Sequence, residues 1–372
     1  MNLFYRLLRI SGILSKMIPR FAAVSIIIFA ICAPAFADDS AASIAAGGLV
    51  PRRETRIVMA KEVLRISEKK VIVDYDFRND TDEDVTTEVA FPVPPYLNDW
   101  AEQEVSAQSF SDFQLQIDGK PALFKVEAKA TLKGKDVSNI LLADKIDIAT
   151  FGHFKWKYQD LSAPDLTRLS KTEQKRLASL GLVDLDEATP HANWKVHLQY
   201  HWTQTFSARS TVHIRHEYSP VAGFQYMPLE AFENALATTP ATITRKLDPS
   251  NNADLQQLTS FCPEPELLRG IVHRLGDGPK DARYVYPTWI DFILTTANTW
   301  QRPIEDFTLI VERPQVKDGN QTLISFCSPG PVEKLDADHF QVHLTNFIPK
   351  AELHIGFFGV PKAKSRKPKP KK

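Results

Sequence analysis

No G-x-S-x-G, H-E-x-x-H, phosphate-loop or dinucleotide fingerprint occurs after residue 37. The chain therefore carries none of the local frameworks that hold a catalytic serine, a catalytic zinc or a nucleotide. Cysteine is scarce, at three residues in 372. The longest uncharged stretch, Phe21–Ala37, has seventeen residues, which is marginal for a bilayer core that needs about twenty. Acidic residues are missing from both ends, and the body between them, residues 38–360, carries 34 Lys+Arg against 45 Asp+Glu, a formal charge of −11. A body of that sign excludes nucleic acid as the main partner, because phosphate binding needs a basic surface.

The beginning of the chain has the pattern of a secretory signal. Arg6, Arg9, Lys16 and Arg20 precede the apolar run Phe21–Cys32 and the small residues Ala35 and Ala37, which predicts a signal peptide over 1–37, cleaved after Ala37. The expectation is a periplasmic or secreted protein that begins at Asp38 and is not integral to a membrane once cleaved; an uncleaved anchor is the rival. Ile31 and Phe29 depart from the lipoprotein pattern before Cys32, and without an Arg-Arg pair general export is expected. No cofactor is expected. At the other end seven cations crowd into residues 361–372, read as a basic disordered tail, with attachment to anionic envelope polymers or lipid headgroups as the alternative.

Once the leader and Cys32 are removed, Cys262 and Cys327 remain. Two cysteines in an oxidising compartment most often pair, and closing this loop would stabilise the fold by about 4 kcal/mol in the chain-entropy model. A redox or nucleophilic thiol would want a C-x-x-C or a neighbouring base, and neither is present in sequence.

Hydrophobic periodicity places strands first. Val71, Val73, Tyr75 and Phe77 alternate with polar positions, and Val85, Thr87, Val89 and Phe91 resume the period beyond the Asn79–Asp84 cluster; the two segments read as a hairpin. Ser111–Ile117, the turn Asp118-Gly119-Lys120-Pro121 and Ala122–Ala130 read as a second. Asp38–Gly48 reads as a flexible lead-in. A helical insertion is expected over about 136–192, with capping-box spacing between Ser170 and Glu173 and a stop at Gly181. Strands return at Val196–Phe206 and Thr211–Tyr218, joined by a short turn. The fold expected is mainly β, sandwich-like antiparallel sheets with two helical insertions. Its divisions are a sandwich-like region over 38–227, a helical segment over 228–281 and a C-terminal β region over 282–360 packed on what precedes. In the helical segment Pro265 opens an apolar stripe of Leu267, Leu268, Ile271, Val272 and Leu275.

Several separated stretches carry a likeness. They are Gly47-Gly48-Leu49-Val50, Asp84-Val85-Thr86-Thr87 running to Ala90-Phe91-Pro92-Val93-Pro94, and Trp202-Thr203-Gln204-Thr205-Phe206. Asp291-Phe292-Ile293-Leu294-Thr295-Thr296 with Trp300, and Ser325-Phe326-Cys327, follow. In order and spacing the chain resembles an uncharacterised family of exported Gram-negative bacterial proteins, a domain of unknown function, which brings no activity or catalytic residue with it. Phe91-Pro92-Val93-Pro94-Pro95, Phe113–Lys120 and Gln204-Thr205-Phe206 leading to Tyr218 also resemble the vault and inter-alpha-trypsin type domain. That likeness implies an extracellular β-sandwich and no function.

Three constellations invite chemistry. With Val196–Phe206 and Thr211–Tyr218 as a hairpin, His201 would lie opposite Arg215 and diagonal to His213 and Glu217, with His197 on the same face. Two histidines and a carboxylate can hold zinc, but the Arg215 cation in their midst opposes a metal dication. Asp80, Asp82, Glu83 and Asp84 invite a calcium reading but lack the glycine and distal glutamate of a helix-loop-helix site. Trp100, Trp156, Trp194 and Trp300, with Tyr96 or Tyr158, lie in or beside loops; Tyr96, Trp100 and Trp300 are the candidate binding aromatics. The function expected is a non-catalytic binding or assembly module of the cell envelope, monomeric or weakly associating, with an envelope protein or polymer as partner. A metal-dependent hydrolase using His197, His201, His213 and Glu217 is one alternative, and a carbohydrate-binding protein is the other.

Overall fold

Alternation decides the local structure. Along Val71–Asn79 the residues Val71, Val73, Tyr75, Phe77 and Asn79 are fully buried and those between them are half-buried, as a pleated strand with one wet face requires. The computed structural model describes residues 40–45, 48–97, 103–104, 112–149, 169–185, 191–237, 253–276, 283–315 and 320–361.

The protein is mainly β, built from three large sheets. An eight-stranded sheet runs in the order Glu333–Lys334, His339–Phe347, Ile304–Glu312, Ile57–Ile66, Val71–Asn79, Thr211–Tyr218, Gln114–Ile117, Lys120–Pro121. Ile304–Glu312 lies parallel to Ile57–Ile66, while the other pairings of this sheet are antiparallel. A seven-stranded sheet is centred on Lys195–Phe206, flanked by Lys125–Leu132 and Val85–Pro92, and reaches Ser40–Ala45 and Gly48–Pro51 at one edge. A five-stranded sheet runs Asn320–Phe326, Leu353–Pro361, Pro287–Phe292, Ala222–Phe224, Gln103–Glu104.

The first two sheets face each other through aromatic rings. Tyr200 stacks on Phe113 with centroids 3.9 Å apart, Phe206 meets Phe77 at 5.9 Å, and Phe91 meets Tyr218 at 5.6 Å. Phe292 of the third sheet reaches Phe91 at 6.2 Å, so one core serves all three. His216 sits inside it, fully buried among Tyr75, Phe91, Phe113 and Trp202.

Two expected hairpins around the core need correction. Val71–Asn79 and Val85–Pro92 are not a hairpin, and neither are Lys195–Phe206 and Thr211–Tyr218: in each case consecutive strands lie in different sheets. The intervening loops are arches that carry the chain across the sandwich, a step of about 10 Å. The arches lie side by side and are tied by Asn79. Its Nδ2 donates to the carbonyls of Glu83 at 2.8 Å and Phe206 at 2.9 Å, its Oδ1 accepts from Thr81 N at 2.9 Å, and its own N–H donates to Ser210 O at 2.9 Å. The flexible lead-in is also corrected. Ser40–Ala45 pairs with Gly48–Pro51 and with Val85–Pro92, and Ala41 is fully buried.

Other local expectations agree with the structure. Ile117 pairs with Lys120 around Asp118 and Gly119, both at positive φ, the two-residue loop that Asp-Gly favours; beyond that turn the expected second hairpin is corrected, because Lys125–Leu132 pairs with Lys195–Phe206 in the seven-stranded sheet and not with Gln114–Ile117. Helix Lys171–Ser179 begins on a capping box of Ser170 and Glu173, and Gly181 beyond its end has φ 71°. Helices Leu229–Ala237, Ala253–Ser260 and Pro265–Gly276 cover the five-stranded sheet through Phe232, Leu258, Leu268, Ile271 and Leu275, which pack with Phe358 and Val360.

Asn79→Ala would strand buried carbonyls at both arches, and urea unfolding is expected to show a loss of about 2–3 kcal/mol with the m-value unchanged. A second test concerns acid. Burial pulls the His216 imidazole pKa down to about 3, so between the unfolded value near 6.5 and pH 3 the unfolded chain binds a proton that the folded core refuses. Stability therefore falls as pH drops through that window. In urea titrations at pH 7 and pH 4, His216→Leu is expected to lose about 3 kcal/mol less than the parent protein.

Candidate functional site

The candidate metal set is dispersed by the arch. His197 and His201 lie on the outer face of the seven-stranded sheet, whereas His213 and Glu217 lie on the outer face of the eight-stranded one. Each has its own partner. His201 Nδ1 meets Glu88 Oε1 at 2.5 Å, and His197 Nε2 meets Thr131 Oγ1 at 2.8 Å, with burial first and Lys195 second holding the His197 pKa below the usual imidazole range. His213 Nδ1 meets Asp76 Oδ1 at 2.9 Å, and Glu217 pairs with Lys70 at 2.9 Å. Among the described residues no group of three or more His, Cys, Asp or Glu is arranged to hold a metal. In the acidic loop, Asp80 bonds Arg78 and Arg302, Asp82 bonds Arg209, and Asp84 accepts the Ala208 N–H.

Two of the three aromatic candidates, Tyr96 and Trp300, are buried. Trp300 is 1 % exposed and wedged against Phe77 and Phe206. Tyr96 is 3 % exposed and donates its hydroxyl to Ala149 O at 3.2 Å, with burial raising its pKa. Trp194 is buried too. Trp100, Trp156 and Tyr158 lie outside the described residues.

Cys262 and Cys327 are bonded, with sulfurs 1.95 Å apart. The bond fixes the end of Ala253–Ser260 to the end of strand Asn320–Phe326, and beside it opens a groove of about 640 Å³. One wall is helix Pro265–Gly276, presenting Leu267, Gly270 and Arg274. The floor is the Leu323–Phe326 part of the edge strand, and the far wall brings Arg313, Val332, Lys334 and Phe340 from the eight-stranded sheet and its loops.

Charge in this groove is not neutralised as it is elsewhere. Arg274 donates to Gly270 O at 3.0 Å, and Arg313 donates to Ala337 O at 3.0 Å while its guanidinium lies 5.1 Å from the Phe340 ring centre. The Nε of each arginine is buried without a hydrogen-bond partner, and no carboxylate pairs with Arg274, Arg313 or Lys334 among the described residues. Two carboxylates, Glu264 and Glu266, also line the groove; Glu266 bonds Arg269. Gly270 leaves room for the observed Arg274 rotamer: a Cβ there would sit 2.9 Å from the Arg274 Nη1, which would then have to shift. An apolar floor beneath unpaired guanidinium groups suits an anion carried on an apolar body.

Two further features escaped the sequence reading. Tyr226, Tyr284 and Tyr286 are exposed and in mutual ring contact at 5.2–5.6 Å; the signal was Tyr284-Val285-Tyr286, in which Val285 is buried and its neighbours face out. Asp291 and His354, cross-strand partners, are hydrogen-bonded to each other. Gln257 lies 3.3 Å from the other His354 nitrogen and Phe261 stacks on the ring, so the described contacts orient the imidazole without offering it a hydroxyl or thiol. A second cleft, of about 610 Å³, lies across the disulfide and shares Ser328 with the groove. Glu352 in its wall accepts from Leu294 N at 2.7 Å and Thr295 N at 3.1 Å, and so caps a helical turn.

The fold and groove define a multi-sheet β protein with a disulfide-braced cleft. A family profile described as a domain of unknown function, DUF4424, matches residues 37–355, and the chain belongs to that family, in keeping with the separated motifs. Among solved structures, one similar chain is a protein of Legionella pneumophila subsp. pneumophila str. Philadelphia 1, described as a candidate nutrient binding protein. It is 15% identical, the match covers 83% of this chain and 69% of that one, and the TM-score is 0.37, a likeness too loose to bear on function. No curated protein matches.

Thiol titration tests the bond that braces the groove. Denatured, unreduced protein produced from Asp38 onward, and so without Cys32, is expected to show no free thiol, and Cys262→Ser to release one. Replacing both cysteines with serine is expected to lower stability by about 4 kcal/mol.

Proposed function

We propose that the chain is exported and acts outside the cytoplasm as a non-catalytic binding module, with the groove between helix Pro265–Gly276 and strand Asn320–Phe326 as its ligand site. The observation that carries this is the groove itself: among the described residues Arg274, Arg313 and Lys334 stand without carboxylate partners over Leu323, Ile324 and Phe326, in a body whose formal charge is −11. Such a site attracts an anionic, partly apolar ligand. Export is supported by the cationic and apolar leader and by the Cys262–Cys327 bond, which persists in an oxidising compartment. Cleavage after Ala37 would leave only Asp38 and Asp39 ahead of the Ser40–Ala45 strand. No helix among the described residues is long and apolar enough to cross a membrane, which says nothing of spanning strands.

The exposed tyrosine trio supports a second reading, a platform for stacking on sugar rings. Glycan titrations that shift the tyrosine signals of the parent, and leave a Tyr286→Ala variant unmoved, would establish it.

An anionic aromatic dye, anilinonaphthalene sulfonate, probes the groove. The mature protein is expected to bind it near one to one, and Arg274→Met with Arg313→Met to weaken binding about tenfold. Affinity unchanged in the double variant would remove the groove from consideration.

A further inference from the structure

The floor of the groove is an open sheet edge. Asn320–Phe326 pairs on one side with Leu353–Pro361, and among the described residues no strand covers its other side. Among the described residues no backbone–backbone hydrogen bond outside that ladder involves residues 320–326 either. Natural edges are normally blunted by lysine, proline, a bulge or a covering element. This one reads Asn-Gln-Thr-Leu-Ile-Ser-Phe, with no charge and no proline. Across the groove Glu333–Lys334 is the terminal strand of the eight-stranded sheet, so two sheet edges confront one another over one cleft. Beside them Val332 is left 48% exposed.

We infer that the groove takes an extended acidic segment of a partner protein, added as a further strand to the Asn320–Phe326 edge; the inference rests on the groove being a ligand site. Main-chain groups of the edge supply the affinity common to strand addition, and side-chain pockets on alternate residues supply the selection. Leu323–Phe326 spans roughly 13 Å at 3.3 Å per residue, room for four to six residues of extended peptide. The acidic character follows from Arg274, Arg313 and Lys334, which outnumber the carboxylates Glu264 and Glu266 in the lining, where Glu266 is already held by Arg269. The chain's own last residues, 361–372, carry seven cations and no acid, so their charge opposes them as the occupant.

The test uses a fluorescein-labelled, end-capped hexapeptide of alternating valine and glutamate with the mature protein, read by fluorescence anisotropy. Two isomers carry backbone N-methyl groups, one on every valine and one on every glutamate. In an added strand only alternate N–H groups face the edge, so one isomer is expected to lose at least tenfold in affinity relative to the other. A lysine-for-glutamate peptide is expected to lose as much, as is the Arg274→Met and Arg313→Met double variant. Should that variant fail to fold, weakening of parent binding with added salt replaces it. Equal affinities for the two methylated isomers, or no peptide binding while the dye still binds, would overturn strand addition and leave the groove as a ligand site. Loss of both peptide and dye binding overturns the two together. A dimer that the peptide fails to displace, seen by light scattering, assigns the edge to a second copy and overturns the proposal.

Discussion

The crossing of two short arches at one end of the sandwich is the constraint from which the rest follows. Each arch moves the chain from one sheet to the other, and the pair can lie side by side only if the polar backbone they bury is paired. Asn79 does this with one side chain, donating to the carbonyls of both arches and accepting from Thr81. Because Asn79 ends one strand and Phe206 ends another, the same contact fixes the register in which Phe77 and Phe206 meet beneath it. Trp300 then closes that end of the core, 4.6 Å from Phe77.

Within the strands, which residues are buried was legible in the sequence; which strands are neighbours was not. The two-residue period along Val71–Asn79 and Val196–Phe206 reports one wet and one dry face and would read the same in a hairpin or an arch. A short polar loop is compatible with both, and the choice depends on whether the next strand finds its ladder partner beside it or across the layer. Nor does any local pattern indicate that Ile304–Glu312 inserts parallel to Ile57–Ile66, since that pairing is decided by the whole sheet. Features set by a few adjacent residues were legible: the Asp118-Gly119 loop, the Ser170–Glu173 capping box and the Gly181 stop.

The site divides in the same way. The cysteine pair was legible by counting, because beyond residue 37 the sequence holds two cysteines and they are bonded to each other. Arg274, Arg313 and Lys334 come from a helix, a loop after one strand and the edge of a sheet, and no spacing in the sequence joins them. One clue was available in Gly270, a glycine inside an amphipathic helix that disfavours it by about 1 kcal/mol; the structure shows the space it leaves for Arg274. Tyr96 and Trp300 misled because they flank loops. A large ring near an element end can equally plug the end of a sandwich, and these two do.

Where the fold spends its charges separates scaffold from site. On the outer face of the eight-stranded sheet Arg65, Asp74, Arg215, Glu217, Lys70 and Asp112 form a continuous run of ion pairs. Arg78, Asp80, Arg302 and Glu305 form another beside the arches. Exposed pairs of this kind contribute little stability each, but they leave no net field for a ligand to feel. The groove breaks that rule. Its arginines donate to backbone carbonyls, which share hydrogen bonds without cancelling charge, so the cationic field survives there in an otherwise acidic body. The disulfide and the two sheet edges hold that field over apolar surface, and a partner that brings carboxylates on an extended backbone would satisfy the charge and the open edge together.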